Sequence, residues 1–188
     1  MAVRAAVAIT RISVSRIGRS MTSVRLEEGG DAEAIRQVNV AAFGGTLEAV
    51  LVDLLRDRGK LLVSIVAQSD SAIVGHIAFS RVVIESHARL RGVGLAPMGV
   101  LPPMQRHGIG SALVQAGLDR CDCLQYEFAV VLGHAAFYPR FGFVPAGRFA
   151  LRCAWDVPDD VFMALELRSG ALAGVAGVVA YEPEFSVT

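Results

Sequence analysis

The sequence predicts one α/β domain of the α+β kind, built on a mixed, mostly antiparallel sheet. Three observations lead there. Short β-rich apolar runs outnumber helical ones. Two of them, "KLLVSIVAQ" and "AIVGHIAFSRVVIE", are joined by the turn signal Ser69-Asp70-Ser71 and read as an antiparallel hairpin. A single strand–helix–strand crossover in the middle of the chain, around "VLPPMQRHGIGSALV" (Val100 to Val114), supplies the parallel component. No repeat or linker divides the 188 residues.

In order along the chain, Met21 opens a strand containing "TSVRLEE" that stops at Gly29-Gly30. Asp31 is placed to cap a helix carrying Ile35, Val38 and Ala42 on one face. "FGG" breaks it, and Thr46 starts a second helix with Leu47, Val50, Leu51, Leu54 and Leu55 as its stripe, ending near Gly59. The hairpin follows, then the strand "GVGLAPMGVLP" and an amphipathic helix from Gly108 to about Arg120. "EFAVVLG" reads as a buried strand, and "AAFYPRF" as a short helical or irregular piece cut by Pro139. "FVPAGRFAL" and "VFMALEL" supply two last strands, while the tail from Gly170 fits no element by pattern. Residues 1–20, with four arginines and no acid, read as an N-terminal extension outside a domain at 21–188.

Composition narrows the function. Lys+Arg and Asp+Glu both number 18, so no charge excess points to nucleic acid or to a membrane surface. The apolar run Gly170 to Ala180 is too short and glycine-rich to span a bilayer. Lys60 is the single lysine, and abundant Ala, Gly and Val suggest a GC-rich bacterial genome. Three cysteines without a signal peptide lead us to expect a reducing cytoplasm. "CDC" at Cys121 and Cys123 has no second pair at zinc spacing, so no metal is expected.

"QRHGIG" ahead of a helix is chemically suggestive. The first N–H groups of a helix lack intrahelical partners and carry partial positive charge, and glycines let an anion approach the backbone. The turn therefore suits a phosphate as well as it suits a plain helix start. A Walker A loop would need lysine before Ser111, and a dinucleotide fingerprint would need glycine where Leu113 stands. A nucleotide-phosphate protein is disfavoured on both counts.

"VLPPMQRHGIGSAL" resembles the signature of the GNAT superfamily of acyl-CoA-dependent N-acetyltransferases, with Gln105, Arg106, His107, Gly108, Ile109 and Gly110 at its six positions. "VVLGHAAFYPRFGFVPA" is similar to the segment that carries the family's tyrosine, here Tyr138. The form "LGH..FYPRFGF" with "FMALEL" resembles the YhbS-like branch. The resemblance covers Ser23 to the C-terminus. It implies a GNAT-like sheet with helices on both faces and acetyl-CoA as acyl donor. The pyrophosphate would rest on the amides of Gln105 to Ser111, and the pantetheine arm would pair with Met98, Gly99 and Val100 as an added strand. Pro97 and Gly99 suit a strand that bulges from its neighbour.

Acyl transfer from a thioester to an amine needs a free amine, a stabilised oxyanion and a proton for the departing thiolate. Tyr138 is the expected proton donor, and a backbone amide between Met98 and Val100 the expected oxyanion donor. The base is less evident. His134, at the end of a strand, is the candidate, with Glu127 at that strand's start. An asparagine that many relatives carry about seven residues before the tyrosine is missing. The acceptor, a primary amine on a small molecule or peptide, is expected near Phe43 to Thr46 and the loop Trp155 to Asp160, whose Asp156, Asp159 and Asp160 would attract a cation. The competing reading is a catalytically silent acyl-CoA sensor. A homodimer is compatible with either.

Overall fold

The computed structural model describes residues 12–17 and 20–186. Its elements run β1 (Ile12–Ile17), β2 (Ser20–Leu26), α1 (Ala32–Phe43), α2 (Leu47–Asp57), β3 (Leu61–Ser69), β4 (Ala72–Ile84) and β5 (Gly92–Val100). There follow α3 (Ile109–Cys123), β6 (Phe128–Leu132), β7 (Val144–Pro145), β8 (Leu151–Cys153), β9 (Phe162–Glu166) and β10 (Gly177–Tyr181). The sheet order is β1-β2-β3-β4-β5-β6-β9-β7, with β10 bridging β4 and β8. Among the described residues only β5–β6 and β8–β10 are parallel. The expected mixed, mostly antiparallel sheet with one central crossover is therefore the fold.

Alternation along the strands sends neighbours to opposite faces. Ile65 and Ile77 pack on one face with Leu113 and Val114 of α3. Val66 and Ala78, one residue on, meet Ile35 of α1 and Val52 of α2 on the other. Each such fully buried Ile or Leu contributes about 1.5–3 kcal/mol. Helix α3 sits very close: a Cβ on Gly117 would come within 2.4 Å of the Phe79 ring. The second half of the sheet is covered by the C-terminal segments, where Val130 and Phe128 pack with Leu151, Leu172 and Val179.

Several expectations need adjustment. Within the stretch set aside as an extension, residues 12–17 form β1, paired antiparallel with β2. Its Ile-Ser-Val-Ser alternation is a strand pattern that the arginine-rich composition obscured; residues 1–11 lie outside the described residues. Helix α2 buries Ala49, Leu51, Val52 and Leu55, and leaves Leu47 exposed. Asp31 stands at the N-cap of α1 without capping it. Its carboxylate instead takes Arg25 at 2.6 and 3.0 Å and the Glu28 N–H at 2.8 Å. The segment around Pro139 is a single 3-10 turn, Tyr138–Phe141. The unplaced tail supplies β10, antiparallel to Val82–Ile84 of β4.

Candidate active site

The site begins where two parallel strands part. β5 pairs with β6 only from Gly92 to Leu95. Beyond that the register with β4 shifts between Ile77 and Phe79, and the extra residue in β5 falls at Ala96-Pro97. Proline has no N–H to offer a ladder, so a bulge is its place in a strand. Pairing with β4 resumes at Met98, Gly99 and Val100, opposite Ile77, His76 and Gly75. The Leu101 N–H donates to the Val74 carbonyl at 2.9 Å. Because antiparallel pairs alternate, Met98 and Val100 turn their peptide groups the other way, into the gap left by β6. The Val100 carbonyl there accepts Nε2 of Gln105 at 3.0 Å. The Met98 groups and the Val100 N–H remain as open strand edge.

The chain then makes a 3-10 turn at Pro102–Met104 and enters α3 through left-handed backbone at Arg106 (φ 64°) and Gly108 (φ 82°). Such conformations in a tight turn point successive N–H groups into one concavity. Neither a side-chain cap nor an acidic residue occupies the first turn of α3, so its leading N–H groups keep their partial positive charge. The strand edge and the helix start face one cleft of about 660 Å³. Met98, Gly99, Val100, Gln105, Arg106, Gly108, Gly110 and Ser111 all line it, as does Arg140, which the sequence reading missed. Arg140 follows Tyr138 by two residues and stacks 4.8 Å over the Phe137 ring. Of the other two turn residues, the His107 side chain is exposed off the cleft and that of Ile109 is buried in the core, so it is their backbone amides alone that the expectation concerns.

A second cleft, of about 420 Å³, continues from the first past Phe43, Met98, His134 and Phe137, which line both. Tyr138 lines this second part. Its ring is buried edge-on between Phe137 and Phe143, at 5.1 and 5.7 Å, and it rests on Gly133, where a Cβ would lie 2.3 Å from it. No residue among those described hydrogen-bonds the hydroxyl. Burial pushes the phenol up to about 12. His134 stands exposed on the shared rim. Glu127 lies elsewhere, accepting the Arg91 N–H at 3.0 Å with Arg168 3.8 Å away.

The second cleft is otherwise apolar, and residues far apart in sequence build it: Leu51 from α2, Leu95 and Pro97 from β5, Trp155, and Tyr181 and Phe185 from the tail. Phe43 and Trp155 belong to the two regions expected for an acceptor. Asp156 and Asp159 line a separate groove. The carboxylate of the cleft is Glu48, in the first turn of α2. A buried polar chain supports the floor. His76, opposite Gly99 and fully buried, takes Asn39 Nδ2 at 3.1 Å on Nδ1. Its proton therefore sits on Nε2, facing Ser64 Oγ at 3.0 Å. Ser64 donates to Glu27, which pairs with Arg56 at 2.8 Å. Burial lowers His76 to about 3, so it stays neutral and ties α1 to the sheet.

A splayed β5–β6 pair above an uncapped glycine-started helix is the arrangement that the sequence resemblance implied, and comparison with known proteins agrees. The family described as acetyltransferase (GNAT) domain matches residues 61–145. The chain is 36% identical over 164 residues to the uncharacterized N-acetyltransferase YhbS of Escherichia coli K12, covering 87% of this chain and 98% of that protein. It belongs to the GNAT family. The GNAT structures that it resembles include that of YhbS from Escherichia coli in complex with CoA, with a TM-score of 0.86 and 34% identity over 92% of this chain and 96% of that one. Another is a GNAT acetyltransferase from Brucella melitensis in complex with acetyl-CoA, with a TM-score of 0.74 and 34% identity, covering 87% and 97% of the two chains. Among the described residues no His, Cys, Asp and Glu groups are arranged to hold a metal ion.

Proposed function

We propose that this GNAT protein transfers an acetyl group from acetyl-CoA to a primary amine by direct attack. The observation that carries the reading is the open edge of Met98 and Val100, facing the same cleft as the uncapped start of α3. The pantetheine arm would complete the strand edge through the Met98 carbonyl and the Val100 N–H. The pyrophosphate would accept N–H groups from the turn between Gln105 and Ser111, with Arg106 and Arg140 adding positive charge.

The thioester would then lie beside the junction of the two clefts. The amine nitrogen attacks the carbonyl carbon, and the Met98 N–H would stabilise the oxyanion. Collapse breaks the C–S bond. Tyr138 is protonated throughout the physiological range and donates to the departing sulfur. A CoA thiol, at about 8.5, is a stronger acid than this phenol, so Tyr138 works chiefly by hydrogen-bonding the developing thiolate. The proton lost by the attacking nitrogen leaves through His134 or rim water, and the thiolate, held by the Tyr138 hydroxyl, takes up a proton from water as CoA departs, which balances the reaction. Free thiols at Cys121, Cys123 and Cys153 support a reducing, cytoplasmic setting.

Acetyl-CoA should raise the melting temperature with concentration more than ATP or NAD does, because it binds only the native state. CoA release with an amine panel tests the chemistry. Protection without any release would favour the silent sensor. Absence of protection by any CoA ester would remove the donor assignment.

A further inference from the structure

The second cleft carries information about the acceptor, on the footing that the first cleft holds the donor. Its walls are rings and aliphatic chains, and the exposed residues continue the pattern. Among the described residues, the large hydrophobic side chains exposed to solvent are Phe43 (44%), Leu47 (58%), Leu132 (42%) and Trp155 (37%). Three of the four line this cleft, and Leu47 immediately precedes Glu48. Scattered exposed hydrophobics need no explanation, but a set gathered round one opening marks a binding surface. The volume of about 420 Å³ suits a small organic body or a terminal side chain.

Within this apolar lining Glu48 brings the formal negative charge. It is half-buried and makes no ion pair or hydrogen bond with any described residue. A half-buried carboxylate beside apolar walls offers a cation an ion pair less screened than one in open water. Amines of ordinary basicity, near 10, arrive as ammonium ions. A long acyl chain on the donor would fill the same space, yet it would leave Glu48 desolvated and unpaired. Polyamines and aminoglycosides would satisfy Glu48 but would bury charge and hydroxyls against Phe43, Leu51 and Trp155.

We infer that the acceptor is a primary amine carried on a bulky apolar or aromatic body, with its ammonium held by Glu48 before deprotonation. Glu48 is a specificity-determining residue of the acceptor side.

The test compares 2-phenylethylamine and tryptamine with putrescine and ethanolamine, reading both thermal protection in the presence of CoA and CoA release from acetyl-CoA. The apolar amines should protect the protein and give at least about a tenfold higher kcat/KM. Glu48→Gln should raise their KM about tenfold and leave the KM for acetyl-CoA unchanged. Trp155→Ala should erode the preference for the apolar body while Glu48 still selects for charge. Equal or better turnover of putrescine would overturn the inference. So would an unchanged acceptor KM in Glu48→Gln, or a preference for octanoyl-CoA without any binding of apolar amines. Apolar amines that bind in a Glu48-dependent way with no acyl transfer would support this inference and defeat the acetyltransfer reading. Acetyl transfer confined to polar amines would do the reverse.

Discussion

The two halves of the active-site cleft are made by different means. The half proposed for the donor is built mainly from backbone: an open strand edge at Met98 and Val100, left-handed residues at Arg106 and Gly108, and an uncapped helix start, all within one continuous stretch. The half proposed for the acceptor is built from side chains brought together from α1, α2, β5, β6, the Trp155 loop and the tail. Backbone geometry of this kind would recognise a feature common to every donor molecule and tolerate side-chain change. Side-chain walls can be exchanged one at a time, so specificity can alter there without disturbing the chemistry.

The contrast can be broken most severely at the point where the halves meet. Tyr138→Phe should lower kcat by about two orders of magnitude or more with little change in the KM for acetyl-CoA; equal rates would remove the hydroxyl from the mechanism. Its stability should hold, since the lost hydroxyl has no partner among the described residues. On the donor half, Ser111→Asp separates recognition from folding. A carboxylate in the first turn of α3 adds about 0.3–1 kcal/mol to the helix, yet on the proposed reading it would face the pyrophosphate and should weaken acetyl-CoA binding about a hundredfold. Calorimetric titration beside a melting curve would expose both signs.

Gly133→Ala asks whether the tyrosine needs its seat. The new methyl would meet the ring at 2.3 Å, so activity should fall about tenfold or more, with about 1–3 kcal/mol lost from stability in urea unfolding. His134→Gln should cost about tenfold in kcat, because rim water can substitute in part; no change would take His134 out of the proton path.

The smallest effect concerns the tail behind the acceptor half. Glu184 is buried and bonded by Arg58 at 2.8 Å and Lys60 at 2.9 Å. The Lys60 ammonium, against the effect of burial, holds its carboxyl down to about 2, below its ordinary 4.5. A depressed carboxyl stabilises the fold fully above about 4.5 and progressively less as pH falls toward 2. Glu184→Gln should therefore melt below wild type at pH 7, and the difference should close through that window.

The same division explains what could be read from the sequence. The hairpin about Asp70, the crossover through α3 and the donor turn are local patterns, fixed by turn residues, periodicity and glycine spacing. Pro97 and Gly99 even announced the splay in β5. Glu48 was hidden because a lone acid in the first turn of a helix is ordinary, and nothing in "TLEAVL" tells which cavity it enters. Tyr181 and Phe185 were hidden because β10 is short, glycine-flanked and paired to a strand about a hundred residues earlier. The acidic loop at Asp156 to Asp160 was legible as charge but not as direction, and its aspartates 156 and 159 face another groove. Gln105 matched a signature position, yet residue type alone does not tell that its side chain turns back five residues to the Val100 carbonyl and takes one group of the strand edge.

The gap between β5 and β6 gives the molecule an unfinished seam in the middle of its sheet, closed on the proposed reading by a metabolite instead of by polypeptide. Amide exchange at Met98 and Val100 would then slow when acetyl-CoA is plentiful and quicken when it is scarce. Resistance to proteolysis would follow the same course. The lifetime of the protein in the cell would thus register the supply of the compound it consumes.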